Sequence, residues 1–113
     1  MPQIDSNLRY HILILTSDLQ MPQLISHEEV QEKMKKIPEW EFDETSISRV
    51  FEFNEYLSGI DFVNTVAEIA EEAYHHPDIL INYTNVKLTL STHEVGGITD
   101  SDFELAERID RLG

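Results

Sequence analysis

"YLSGIDFVNTVAEIAEEAYHHPDILINYTNVKLTLS", residues 56–91, decides the fold, because its apolar spacing changes once, at a proline. Up to about Tyr74 the apolar positions Ile60, Val63, Ala67, Ala70 and Ala73 or Tyr74 keep a helical period, with Glu68, Glu71 and Glu72 between them. Pro77 ends that pattern, since it lacks an amide hydrogen and disfavours helix at the residue before it. Beyond it, "DILINY" and "NVKLTLST" read as two strands. In the second, Val86, Leu88 and Leu90 share one face, and Lys87, Thr89 and Ser91 the other.

Upstream, Ser26 and Glu29 have capping-box spacing, and Val30, Met34 and Ile37 follow at i, i+4, i+7, which predicts a short helix ending before Pro38. In "EWEFDETSISRVFEFN", Trp40 and Phe42 alternate with acids, a polar turn follows, and Ile47, Phe51 and Phe53 lie on one face of a second strand. Downstream, Gly96 and Gly97 supply a turn, Thr99 caps a last helix with Asp102 at its third position, and Leu105, Ala106, Ile109 and Leu112 form its apolar stripe. The order α-β-β-α-β-β-α predicts an α+β fold: two layers, a four-stranded antiparallel sheet with helices packed on one face. Residues 24–113 form this domain, and residues 1–23, with a strand-like Tyr10 to Thr16, read as an N-terminal extension, an extra strand or tail.

A chain of 113 residues fits one domain with a single modest core. Its 22 acids against 8 Lys and Arg, a net charge of −14, repel phosphate backbones and anionic lipid, so direct nucleic-acid binding is not expected. The longest clean apolar run, Ile12 to Leu15, is far too short for a membrane span or a signal-peptide core, and the protein is expected to be soluble and cytoplasmic. Without cysteine there is no disulfide framework and no thiolate metal site.

Three of the five histidines stand out: His75 and His76 where the long helix stops, and His93 at a strand end before the glycine turn. The plain reading of the pair is a charge at a helix C-terminus, and of His93 a surface side chain. Adjacent residues point in different directions, however, so His75 and His76 can line two sides of one pocket mouth. Glu71, one helical turn before His75, shares its face and could pair with it. Asp102 reads first as an ordinary capping carboxylate, and Trp40 as a core residue. A three-histidine zinc site lacks the spacing of helical zinc motifs, and no metal is expected.

Glu71, "EAY", His75-His76-Pro77, Tyr83, His93 and Asp102 together resemble the pterin-4a-carbinolamine dehydratase family. So does "THEVGGITDSDFELAERID", and the resemblance extends over roughly Leu24 to Leu112. Ile79 and Ser101 depart from it, standing where animal members carry Trp and Arg, which argues against an animal-type role in transcription-factor dimerisation. The resemblance implies loss of water from a 4a-hydroxytetrahydropterin to give the quinonoid dihydropterin, without redox cofactor or metal, in tetrahydropterin recycling. It implies His75, His76 and His93 as the acid–base set, and Asp102 orienting a histidine, with His93 the expected one. Glu71, Pro77 and Thr92 are implied as substrate-binding residues. It further implies a homodimer or homotetramer and a functional link to an aromatic amino acid hydroxylase. The alternative is a catalytically weak relative acting as an assembly factor or dimerisation partner.

Overall fold

The computed structural model describes residues 23–112. The extension expected at residues 1–23 lies, but for its last residue, outside the described residues. The elements are α1 (His27–Met34), β1 (Glu41–Asp43), β2 (Ser46–Glu52), α2 (Tyr56–Ala73), β3 (Asp78–Asn82), β4 (Asn85–Leu90) and α3 (Asp100–Asp110), with one 3-10 turn at His93–Val95. The four strands form one sheet in the order β1-β2-β4-β3, antiparallel throughout. The α+β fold and the element order expected from the sequence are both present.

Local chemistry accounts for most boundaries. Ser26 Oγ accepts from the Glu29 amide at 3.2 Å and starts α1. In β4, Val86, Leu88 and Leu90 are fully buried while Lys87 is exposed, so the alternation read from the sequence is the burial pattern. Ile47, Trp40 and Val30 join them in the core with Phe103, Leu105, Ala106 and Ile109 of α3. Trp40 donates its indole N–H to Asp110 Oδ1 at 2.8 Å, and Arg49 reaches the same oxygen at 2.8 Å, which ties the hairpin to the end of α3. Leu112, expected in the stripe of α3, lies beyond the helix and is exposed.

Helix α2 is turned relative to the expected stripe. Gly59, Val66 and Ala70 are buried, Phe62, Val63 and Ile69 pack against the core, and Ala67, Ala73 and Tyr74 face solvent. The reason is size: seating Phe62 and Ile69 inward removes far more apolar surface from water than seating two alanines. The Phe62 ring sits 4.7 Å from that of Phe51 and 5.2 Å from that of Phe53.

The end of α2 also differs from expectation, and this matters for the site. The helix stops at Ala73, before the proline has any effect, because Tyr74 adopts a left-handed conformation (φ 52°) and its amide and that of His75 close back on the last turn. Pro77 then starts the run into β3. A left-handed tyrosine is costly, and its side chain, 88% exposed, packs little in return. Tyr74→Gly is therefore expected to stabilise the fold by about 0.5–1 kcal/mol in urea unfolding, the relief of strain outweighing the added freedom of the unfolded chain. A destabilised variant would show that the ring contributes packing.

Candidate active site

Three elements meet where α2 ends. The stop at Ala73 throws His75 and His76 out of the helix, β4 delivers Ser91 and Thr92 at its end, and the 3-10 turn opens on His93. Gly96, left-handed at φ 68°, closes that turn, and the chain returns through Gly97, which is bridged to Thr92, to the N-terminus of α3. Tyr74, His75, His76, Ser91, His93 and Glu94 line a cavity of about 230 Å³. Two others are of similar size, about 260 Å³ beside Leu24 and Phe42 and about 250 Å³ beside Arg49 and Lys87. Size does not single out the first; the convergence of three imidazoles does.

Behind the cavity, Asp102 is fully buried and its carboxylate is saturated with donors. Oδ2 accepts from the Thr99 amide at 2.9 Å, the capping bond of α3, and from Thr92 Oγ1 at 2.9 Å. Oδ1 lies 2.5 Å from His75 Nε2, and the His75 side chain is itself only 14% exposed. A carboxylate can only accept, so this bond puts a proton on Nε2, and neutral His75 is left with Nδ1 as its basic nitrogen. The capping carboxylate and the neighbour of a histidine are thus one group. That histidine is His75, whereas His93 was the expected partner.

Glu71 is also placed differently from the local expectation. Its Oε1 accepts from His76 Nε2 at 2.6 Å, and both side chains are largely exposed. A continuing helix would have set Glu71 against His75, four residues on, but the left-handed Tyr74 advances the partner by one residue. Thr92, expected to touch substrate, has a buried side chain whose hydroxyl faces Asp102 and Thr99, behind the cavity wall. Pro77 follows the two histidines and leads into β3.

Tyr74, Ser91 and Glu94 on the cavity wall and Thr99 behind it were not singled out as site residues. Ser91 and Glu94 flank the threonine–histidine pair directly, which is the one sequence signal that could have found them. Among the described residues no three His, Cys, Asp or Glu side chains are grouped to hold a metal ion, and no helix is long and apolar enough to cross a membrane.

Comparison with known proteins covers the same stretch of chain. Residues 23–112 match the family model described as pterin 4 alpha carbinolamine dehydratase. A protein of Nostoc punctiforme, whose name assigns it to pterin-4-alpha-carbinolamine dehydratase, is 41% identical over 92 residues, covering 81% of this chain and 99% of its own. One of Gloeobacter violaceus with a name of the same kind is 49% identical over 83 residues, 70% of this chain and 90% of its own. Among solved structures, a transcriptional coactivator/pterin dehydratase from Brucella melitensis superposes with a TM-score of 0.76 at 26% identity, over 80% of this chain and 98% of that one. A pterin dehydratase-like protein identified as a RuBisCO assembly factor in the alpha-carboxysome superposes with a TM-score of 0.53, also at 26% identity, over 65% and 84%.

Proposed function

The chain belongs to the pterin-4a-carbinolamine dehydratase family of hydro-lyases, and from that premise we propose that it removes water from a 4a-hydroxytetrahydropterin by histidine acid–base catalysis. The observation that carries this reading is the meeting of His75, His76 and His93 around one cavity, with a buried carboxylate behind the first. The C4a hydroxyl leaves as water once an acid protonates it, and the N5 proton passes to a base as the carbon–nitrogen double bond of the quinonoid dihydropterin forms. One proton is delivered and one taken up, so the net proton count of the enzyme is unchanged, and the acid and base regain their starting forms by exchange with solvent. Imidazole is the side chain suited to both transfers near neutral pH.

In this reading His75, held by Asp102, offers Nδ1 as a proton acceptor. His76 and His93 are exposed enough to exchange protons with solvent between turnovers. Glu71 orients His76 or meets the polar edge of the pterin, and Pro77 fixes the approach of the chain to β3. The dehydratase domain is residues 24–113, and its biological setting is recycling of the tetrahydropterin used by an aromatic amino acid hydroxylase. Self-association into a homodimer or homotetramer is supported by two apolar surfaces that are exposed among the described residues. The outer edge of β3 carries exposed Leu80 and Ile81, and the start of α2 carries exposed Tyr56 and Leu57.

The test is the decay of freshly generated 4a-hydroxytetrahydropterin, followed by ultraviolet absorbance at neutral pH, on protein whose mass in solution is measured by light scattering. Marked acceleration over buffer, by a species of two or four chains, is the expected result. A second reading is favoured by the likeness to the RuBisCO assembly factor: a binding protein on the same fold with little turnover. A decay rate equal to buffer would select it over the dehydratase.

A further inference from the structure

Two buried hydroxyls behind Asp102 are not used by the acid–base chemistry. Thr92 Oγ1 and Thr99 Oγ1 are 2.8 Å apart, and Thr92 Oγ1 is 2.9 Å from Asp102 Oδ2. A hydroxyl has one proton, and since the carboxylate can only accept, Thr92 spends its proton on Oδ2. The bond between the two threonines then has a single direction, from Thr99 O–H to Thr92 Oγ1. Donors are thus aligned in series, Thr99 to Thr92 to one oxygen of Asp102, while the other oxygen holds His75. Each bond in such a low-dielectric chain polarises the next.

We propose that Thr99 is a positioning residue for His75, acting through Thr92 and Asp102 and without touching substrate. Its side chain is buried and does not line the cavity. Its hydroxyl holds that of Thr92 in place against Asp102, which fixes the plane of the carboxylate and, through it, the position of the His75 ring. The effect on turnover rests on the dehydratase reading; the effect on the His75 ring does not.

Thr99 and Asp102 also form the reciprocal cap of α3, so loss of stability alone would report on the cap. The discriminating variants are Thr99→Val, which keeps the shape and the backbone amide but removes the hydroxyl, and Thr99→Ser, which restores it. Thr99→Val is expected to lower kcat by about three- to tenfold, the rate equivalent of one neutral hydrogen bond, with KM unchanged, and Thr99→Ser to recover it. Adding Thr99→Val to Thr92→Val is expected to cost no further turnover, because the first residue acts only through the second. Nitrogen-15 NMR of the His75 ring should show the Nε2–H form in both proteins, with the Nε2 proton signal sharp and far downfield in the wild type and broadened or shifted upfield in Thr99→Val. Additive losses in the double variant, or a His75 signal unchanged by Thr99→Val, would overturn the proposal. If the wild type proves inactive, the dehydratase reading fails and the NMR comparison still decides the positioning role.

Discussion

Alanine at His76 or at His93 is expected to lower the rate of 4a-hydroxytetrahydropterin dehydration by about 10²–10⁴-fold, the range for removing one positioned acid or base. Both side chains are exposed, and among the described residues the His76 ring has one hydrogen bond, which it donates to Glu71. Neither supports the core, so melting curves should match the wild type and the loss should appear in kcat. Ultraviolet absorbance at neutral pH checks both variants in one experiment. Wild-type turnover in each would sink the acid–base assignment, since two of its three imidazoles would then be dispensable. A loss in one variant alone would assign the chemistry to that imidazole and His75.

Asp102→Ala is expected to act on fold and turnover together. It strands three donors at once, the buried Thr99 amide at the start of α3, the buried Thr92 hydroxyl and the part-buried His75 ring N–H. Lost capping and unpaired donors should cost about 2–4 kcal/mol, read by urea unfolding. The informative companion is Asp102→Asn. To keep accepting from Thr92 and Thr99, the amide must turn its oxygen toward them and its NH₂ toward His75. The imidazole must then accept at Nε2 and carry its proton on Nδ1, the opposite tautomer. The variant is expected to stay folded with turnover reduced by about 10²-fold or more, the lower bound for losing a positioned base. An Asp102→Asn protein with wild-type turnover would show that the His75 tautomer is irrelevant to the reaction.

The fold was largely legible because its determinants are local. The switch from helical to alternating spacing around Pro77, the Ser26 and Thr99 caps and the alternation in β4 each involve neighbours in sequence. Where the fold departs from these local signals, a competition between faces is settled elsewhere in the molecule. Ala67 and Ala73 have the right period for the buried stripe of α2, but Phe51 and Phe53 on β2 offer aromatic surface that Phe62 fills better than alanines can. Nothing within α2 shows which of two overlapping stripes the sheet will select.

From the sequence alone came the element order, the family resemblance and the three histidines, since all depend on residue type and spacing along the chain. Only the tertiary structure decided which carboxylate serves which imidazole. Four-residue spacing points Glu71 at His75, yet one left-handed residue, Tyr74, ends the helix and hands Glu71 to His76. His75 is left to Asp102, 27 residues away, because α3 packs against α2 and its N-terminal cap comes to rest under the end of that helix. A pairing across that distance is fixed by where two helices settle on a common sheet, and no periodicity in the chain encodes it.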